Sequence, residues 1–289
     1  MEKKKVTEEK LQQLKTLAEQ GDVEAQYELG MYYWYSGDDL AAFKWLLLPA
    51  EKGNAEAQYK IGVCFDVGWG VVINERVSFE WYMRAAKQNH VEAQYAVAKG
   101  YYNGIGVGEN EELAFEWYMR AAQQGHAMAQ FEIGVFYDFG EVVKQDYKEA
   151  RKWYELAANQ GHDAAQCNLA HIYSHGYGVE IDHNKAYELY TLAAKKGNAD
   201  AINNIGYAYE MGYGVEKNMQ LANEYYLKAA EMGNATAQCN IAESYELGKG
   251  VERNIETALK WYNLATEQDD ENAEQRAEQR IAELTKRTE

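Results

Sequence analysis

The chain has 289 residues, of which 47% are hydrophobic and 26% are charged, and its formal net charge at pH 7 is -17. This composition predicts a soluble, ordered protein that is long enough for two domains or for one repeat array. The acidic excess predicts that neither nucleic acid nor an anionic membrane is a partner, because both are bound through Lys and Arg, and it permits a basic protein partner.

The first 20 residues predict a polar capping helix rather than a signal peptide. They begin with MEKKKVTEEKLQQLK and contain no apolar core segment, which a signal peptide requires. The cysteines, Cys64, Cys167 and Cys239, are odd in number and far apart. This fits a reducing compartment better than a disulfide framework. Together these features predict a cytoplasmic protein.

The sequence after residue 20 repeats itself. The octapeptide FEWYMRAA occurs unchanged at 79–86 and at 115–122. The register is marked by the alanines Ala25, Ala57, Ala93, Ala129, Ala165, Ala201, Ala237 and Ala273. The first interval between these alanines is 32 residues and each later one is 36. A fixed period of this length predicts an array of similar structural units.

Each repeat predicts a hairpin of two helices. With the marker alanine as offset 0, an aliphatic residue recurs at offset 4, a very small residue at offset 5 and an aromatic residue at offset 8. These offsets share one face of a first helix, and the small residue allows a neighbouring helix to come close. A glycine turn follows, such as GWGV from Gly68, and Asp or Asn then precedes a second helix with Trp-Tyr at offsets 24 and 25.

Neither helix of a hairpin can bury its apolar face alone, so the hairpins are predicted to stack on one another. We predict one domain over 1–289. It consists of seven repeats over 21–268, with capping helices over 1–20 and 269–289.

The repeat pattern A…LG..Y..G.GV..D…A..WY..AA..G resembles the Sel1-like repeat family, a relative of tetratricopeptide repeats. The resemblance covers nearly the whole chain. It implies an all-α fold, an α/α superhelical solenoid, that acts in protein–protein interaction. Members of this kind serve as adaptors, assembly factors and immunity proteins of bacterial toxin systems. The resemblance implies no shared catalytic residues.

By similarity to tetratricopeptide units, offsets -1, 2, 3, 6, 9 and 10 of the first helices should line a concave groove. Offset 2 is aromatic in the first four repeats and not in the last three. The predicted aromatic part of the groove consists of Tyr27, Met31, Trp34, Tyr35, Tyr59, Tyr95, Tyr102, Phe131 and Phe139. Such side chains are favoured anchors for a partner. The alternative is that the rings fill gaps between repeats.

The last three repeats predict a polar and acidic part of the groove. Its candidate residues are Asn168, His171, His175, Asn203, Asn204, Tyr207, Glu210, Asn240, Glu243 and Glu246. An Asn amide can pair with a peptide group of an extended ligand; the alternative is that these amides bond to neighbouring helices. The glutamates favour a basic or mixed-charge peptide over an acidic one.

No catalytic, metal or cofactor site is predicted. His171 and His175 have the i, i+4 spacing of metal ligands, but the HExxH pattern fails and no third ligand is evident. Ser174 precedes His175, and adjacency in sequence does not align a nucleophile with a base. The segment GIGVG at 104–108 follows no strand and equals the turn of other repeats, so it is no nucleotide loop.

We therefore predict a non-enzymatic adaptor that binds a peptide or a protein domain in its groove. The first alternative is an immunity-type inhibitor of a bacterial toxin enzyme, because acidic inhibitors associate quickly with basic enzymes. The remote alternative is a hydrolase, for example one that acts on β-lactams. The sequence does not predict the oligomeric state.

Overall fold

The computed structural model describes residues 8–286, and within that range the chain forms sixteen α-helices and no strand. The helices are α1 (Glu8–Glu19), α2 (Val23–Ser36), α3 (Asp39–Glu51), α4 (Ala55–Val67), α5 (Glu75–Ala86), α6 (Val91–Asn103), α7 (Glu111–Gln123), α8 (Ala127–Phe139), α9 (Tyr147–Asn159), α10 (Asp163–His175), α11 (His183–Ala194), α12 (Ala199–Met211), α13 (Met219–Glu231), α14 (Ala235–Leu247), α15 (Ile255–Ala265) and α16 (Glu271–Lys286). The predicted all-α repeat fold is confirmed. Of the predicted N-terminal capping helix, residues 1–7 lie outside the described part.

The helices form two compact units. Of the described residues, the first contains 8–136 with 141–143, and the second contains 137–140 with 144–286. Consecutive helices pack against each other from α1 to α7 in the first unit and from α9 to α16 in the second, where α14 also contacts α16. Each unit is therefore a stack of helical hairpins. The prediction of one domain over the whole chain stays a prediction.

Side chains at fixed repeat positions begin the helices. The carbonyl oxygen of the Asn74 side chain accepts a hydrogen bond from the backbone N–H of Val77 at 3.1 Å, which satisfies a donor that the helix leaves free. The predicted residues at the start of the second helices are confirmed as caps: Asn74, Asn110, Asp146, Asp182, Asn218 and Asn254. Histidine does the same for first helices, since Nδ1 of His90 accepts from the N–H of Ala93 at 3.2 Å.

The marker alanines and the small residue at offset 5 lie in the interior. All eight marker alanines are buried. A Cβ atom added to Gly62 would lie 2.6 Å from the ring of Tyr82 on the second helix of the same hairpin. This is closer than real Cβ contacts come, so the predicted close approach of two helices at offset 5 is confirmed.

A buried glutamine at offset 1 joins one hairpin to the preceding one. Nε2 of Gln58 donates to the backbone oxygen of Ala50 at 3.0 Å, and Nε2 of Gln238 donates to that of Ala230 at 3.2 Å. The acceptors lie in the last turn of the preceding second helix, where backbone oxygens lack partners within the helix. These bonds fix the spacing of consecutive hairpins and hence the shape of the pockets between them.

Candidate functional site

Three pockets lie at equivalent positions between consecutive hairpins. The 2/3 pocket, between repeats 2 and 3 in the first unit, has a volume of about 420 Å³. The 5/6 and 6/7 pockets, in the second unit, have volumes of about 350 Å³ and 230 Å³. Each is lined by offset 9 of one repeat and by offsets 3, 6, 7 and 12 of the next. Offsets 3, 6 and 9 belong to the predicted binding stripe.

The 2/3 pocket has aromatic walls and acidic edges. The ring of Tyr59 stacks on His90 with centroids 4.7 Å apart, and the ring of Tyr95 stacks on His126 at 4.5 Å. Each histidine caps the helix that follows, so these half-buried rings are held by the next repeat. Burial raises the pKa of Tyr95 to about 12, and its hydroxyl therefore stays neutral. The rings both fill space between repeats and line a pocket.

The helix cap also changes where the aromatic series at offset 2 ends. In repeats 6 and 7 the first helix begins after Asn198 and Asn234 instead of histidine. The preceding offset-2 residues are Cys167 and Asn203, and both are buried. Histidine caps follow the aromatic residues Tyr59, Tyr95 and Phe131. Tyr27 is aromatic although the next cap is Asn54, so the cap alone does not account for the pattern.

The acidic candidates of the second unit are already paired within the chain. The hydroxyl of Tyr226 donates to Glu210 at 2.7 Å. Glu246 is only 3% exposed, accepts from the hydroxyl of Tyr262 at 3.1 Å and forms an ion pair with Arg280. While the hairpins keep this packing, Glu246 and the buried Asn203 have no surface with which to contact a partner.

Glu243 is held by two cations of the same unit. Its carboxylate lies 2.8 Å from Nζ of Lys249 and 2.6 Å from Nη2 of Arg276. Burial alone would raise the pKa of Glu243, but the hydrogen bonds from Lys249 and Arg276 lower it below its usual value. The local negative charge at this position is therefore neutralised by the chain itself.

The asparagines at offset 3 also have partners inside the protein. Nδ2 of Asn168 donates to the hydroxyl of Tyr154 at 3.1 Å. Asn240 donates to Oδ1 of Asn203 at 3.0 Å and accepts from Arg276 at 2.9 Å. These two amides fit the alternative interpretation of hydrogen bonds to neighbouring helices, while Asn204 lines the 5/6 pocket.

The other predicted residues divide by exposure. Tyr27, Met31 and Trp34 pack against the apolar core of the first unit, and Phe131 is half-buried. The exposed members are Tyr35, Tyr102, Phe139, His171, His175 and Tyr207. The structure thus places one group of the predicted residues in the packing and leaves the other at the surface.

A row of exposed apolar side chains at offset 10 was only partly predicted. Its members are Tyr35, Val67, Phe139, Met211 and Leu247, with exposed fractions from 43% to 68%. Each stands directly before the glycine that ends a first helix or, for Tyr35, one residue earlier. The sequence signal was an apolar residue at offset 10, a position predicted to line the groove, and only Tyr35 and Phe139 of this row were among the predicted residues. The pocket residues Asp66, Glu92 and Lys99 were also missed.

Several groups that could carry chemistry are not arranged for it. Burial raises the pKa of the Cys64 and Cys167 thiols to about 12, which removes thiolate nucleophiles at neutral pH. Contrary to the sequence-based expectation, Oγ of Ser174 does lie 2.7 Å from Nδ1 of His175. Both groups also lie 3.0 Å from the backbone oxygen of His171, a local side chain-to-backbone pattern of helices rather than a base directed at a nucleophile.

The described residues offer neither a cluster for a metal ion nor a membrane-spanning helix. From residue 8 to 286, no group of three or more His, Cys, Asp and Glu side chains is placed to hold a metal ion. None of the described helices is long and apolar enough to cross a membrane.

Comparisons with known proteins agree with the repeat architecture. The Sel1 repeat model matches residues 23–54, 55–90, 91–126, 127–162, 163–198, 199–234 and 235–270. A search of curated proteins found no match. The structure is similar to that of c5321, a protective antigen present in uropathogenic Escherichia coli strains, with a TM-score of 0.79 and 33% identity. That match covers 91% of this chain and 58% of c5321.

Two further solved structures show the range of similarity. A Sel1 repeat protein from Oxalobacter formigenes has a TM-score of 0.76 and 31% identity, with 85% of this chain and 98% of that chain covered. The immunity protein Pa5087 from Pseudomonas aeruginosa has a TM-score of 0.44 and 19% identity, with 74% and 81% covered, which is too distant to bear on function. From the seven in-phase matches over 23–270, the chain belongs to the Sel1 repeat family.

Proposed function

We propose that this chain is a non-enzymatic scaffold that binds a segment of a partner protein along the first-helix faces of its repeats. The observation that carries the proposal is the offset-10 row. Exposed apolar side chains scattered singly over a surface are ordinary. Here they recur at one fixed position, at Tyr35 and Val67 in the first unit and at Phe139, Met211 and Leu247 in the second.

The family and the pockets support the same proposal. Sel1 repeat proteins are generally scaffolds for protein interaction. In each unit a pocket lies among first helices that carry an exposed offset-10 residue, so a segment bound to that unit has apolar anchors beside a cavity that can take one of its side chains. The net charge of -17 favours a basic segment, because long-range attraction accelerates its association.

Of the predicted groove residues, we propose the exposed ones for direct contact with the partner. Tyr35, Tyr102, Phe139 and Tyr207 are exposed and can pack directly on a partner. Tyr59 and Tyr95 serve as pocket walls and contact only what enters the 2/3 pocket. The paired residues of the second unit, such as Glu243, serve the packing of its hairpins.

The test is a selection of binding peptides from a random displayed library on the full chain. The test variant carries Tyr35→Ser, Val67→Ser, Phe139→Ser and Met211→Ser. We expect peptides selected on the unmodified chain to bind the variant about tenfold more weakly or worse, since interface anchors carry most of the binding energy.

A competing surface supplies the matched control. Leu156, Leu192 and Leu264 are also exposed and lie on second helices, as does Leu40. The control variant changes these four leucines to Ser, which removes a similar apolar area. If the control loses binding and the test variant keeps it, the binding surface is on the second helices and the proposal is wrong.

A further inference from the structure

We propose that the 2/3 pocket binds an arginine side chain of the partner protein. This inference rests on the proposed function, because it names the side chain that the scaffold takes from the bound segment. At equivalent positions of other repeats, the chain already places its own cations.

The first precedent is Lys60, at offset 3 of repeat 2. Its Nζ lies 3.2 Å from Oε1 of Glu56 at offset -1, 4.6 Å from the ring centroid of Trp34 and 5.2 Å from that of Tyr59 at offset 2. The Lys60 side chain is only 15% exposed. An ion pair and two aromatic faces thus hold a nearly buried ammonium between repeats 1 and 2.

The second precedent is Arg276, at offset 3 in α16 after the last repeat. Its guanidinium donates to Oδ1 of Asn240 at 2.9 Å and to Oε2 of Glu243 at 2.6 Å. Offset 3 of a following helix therefore places a cation against the preceding repeat at both ends of the array. The two cations occur in different units, so this placement at offset 3 is a feature of the repeat rather than of one unit.

In the 2/3 pocket the same position carries Ala96. Glu92 and Tyr95, which correspond to Glu56 and Tyr59, are retained and line the pocket. Asp66 takes the position of Trp34 and adds a second carboxylate. The acid and the ring that hold Lys60 one repeat earlier are thus present, with Ala96 in place of the lysine. Asp66 accepts a hydrogen bond from the hydroxyl of Tyr82 at 3.2 Å, and Glu92 lies 3.4 Å from Nδ1 of His90. Neither carboxylate forms an ion pair with a Lys or Arg of the described residues.

The charges around the 2/3 pocket favour a cationic guest. Among its lining residues, all within the described range, three carry carboxylates, Asp66, Glu75 and Glu92, and one, Lys99, is cationic. His126 also lines the pocket, and because burial lowers its pKa it adds no charge at neutral pH. The lining therefore has two negative charges more than positive ones.

Arginine fits this site better than other residues. A planar guanidinium can stack on a tyrosine ring and bind a carboxylate through two parallel hydrogen bonds. The pocket offers the rings of Tyr59 and Tyr95, and the carboxylates of Asp66 and Glu92, within one cavity of about 420 Å³. The carboxylates would repel an acidic side chain, and an aliphatic one would offer them no charge-assisted hydrogen bond.

The test measures binding of Nα-acetyl-arginine methylamide to the full chain by saturation-transfer NMR, with the citrulline analogue as the uncharged control of similar shape. We expect saturable binding of the arginine amide that weakens as salt is added. We expect Ala96→Lys to weaken it about tenfold or more, because the new ammonium can occupy the pocket as Lys60 does one repeat earlier.

Two further variants make the result decisive. Gln123→Lys adds the same charge at the exposed end of α7, outside the pocket, and should bind like the unmodified chain. The double change Asp66→Asn and Glu92→Gln removes two acids without filling space and should weaken binding about fivefold or more. If circular dichroism shows that Ala96→Lys does not fold, the double variant alone tests the inference.

Three outcomes would overturn the inference: no binding of the arginine amide, equal binding of the citrulline amide, or unchanged binding in the acid-neutral double variant. Failure here is distinct from failure of the proposed function. A chain that binds displayed peptides through the offset-10 row but does not bind the arginine amide would remain a scaffold without this specificity.

Discussion

The 2/3 and 6/7 pockets lie at equivalent positions of the repeats, but they differ in the residue at offset 12. In the 6/7 pocket, offset 12 is Lys249, whose Nζ lies 2.8 Å from Glu243 and 4.0 Å from Glu210. In the 2/3 pocket, offset 12 is the apolar Ile105. The acids of the second unit are thus neutralised by the chain, and the pocket shrinks to about 230 Å³.

The difference teaches that the repeat backbone does not determine which pocket can bind. The 6/7 pocket receives cations from Lys249 at offset 12 and from Arg276 in the helix after repeat 7. The corresponding residues of the 2/3 pocket are Ile105 and, in repeat 4, Glu132. We expect that these side chains alone can change a structural ion pair into an open acidic pocket.

The largest expected effect is on the closed acidic region. Arg280→Met leaves the carboxylate of Glu246, which is 3% exposed, without its cation. We expect a loss of about 3 kcal/mol in the free energy of unfolding, measured by urea denaturation, because a buried charge loses its partner.

The control for this change lies in the same unit. Lys260 forms an exposed i, i+4 pair with Glu256, and Lys260→Met should leave the unfolding midpoint unchanged within error. Adding Glu246→Gln to Arg280→Met should recover most of the loss, since the unpaired charge is then gone. Failure of that rescue would mean that Arg280 acts through packing rather than through charge.

A smaller effect should depend on pH. The cations beside Glu243 lower the pKa of its carboxyl in the folded state. The ionised carboxylate therefore stabilises the fold at pH values above the unfolded pKa of about 4.3. This stability is lost as the pH falls through the lower pKa of the folded state. We expect Glu243→Gln to lower stability by about 1 kcal/mol at pH 7. Denaturation curves at pH 7 and near pH 3 should show this difference disappearing in acid; a difference of equal size at both values would contradict it.

The smallest stability effect is expected at the offset-10 row. Tyr35 is exposed by 68%, and Tyr35→Ser should change stability by less than about 0.5 kcal/mol. Tyr95→Ser, which removes a ring stacked on His126, should lower stability by about 2 kcal/mol. Equal thermal shifts for the two variants would show that Tyr35 belongs to the packing and not to the binding surface.

Local pattern predicted most of the fold, because each hairpin is built from residues close in sequence. The marker alanines, the small residue at offset 5 and the Asp or Asn caps of the second helices all act within one repeat. The histidine caps show the limit. His90 appears in sequence as a residue between helices, yet it both begins α6 and supports the ring of Tyr59 in the preceding repeat.

The candidate site was less predictable because it depends on pairs one repeat apart. The partners Arg276 and Glu243 are 33 residues apart, and Asn240 and Asn203 are 37 apart. A sequence stripe shows which offsets recur, but it does not show which carboxylates have found a cation. Of the acidic floor predicted from Glu210, Glu243 and Glu246, the last two form ion pairs with Lys or Arg, whereas Asp66 and Glu92 of the 2/3 pocket pair with no Lys or Arg of the described residues.

The most direct test of the account is the dissociation constant of one display-selected basic peptide, measured by isothermal titration for Ala96→Lys and for Gln123→Lys. Both variants add one positive charge, and only the first adds it inside the 2/3 pocket. If the 2/3 pocket takes an arginine side chain of the peptide, we expect about tenfold weaker binding for Ala96→Lys and unchanged binding for Gln123→Lys. Equal dissociation constants for the two variants would contradict it.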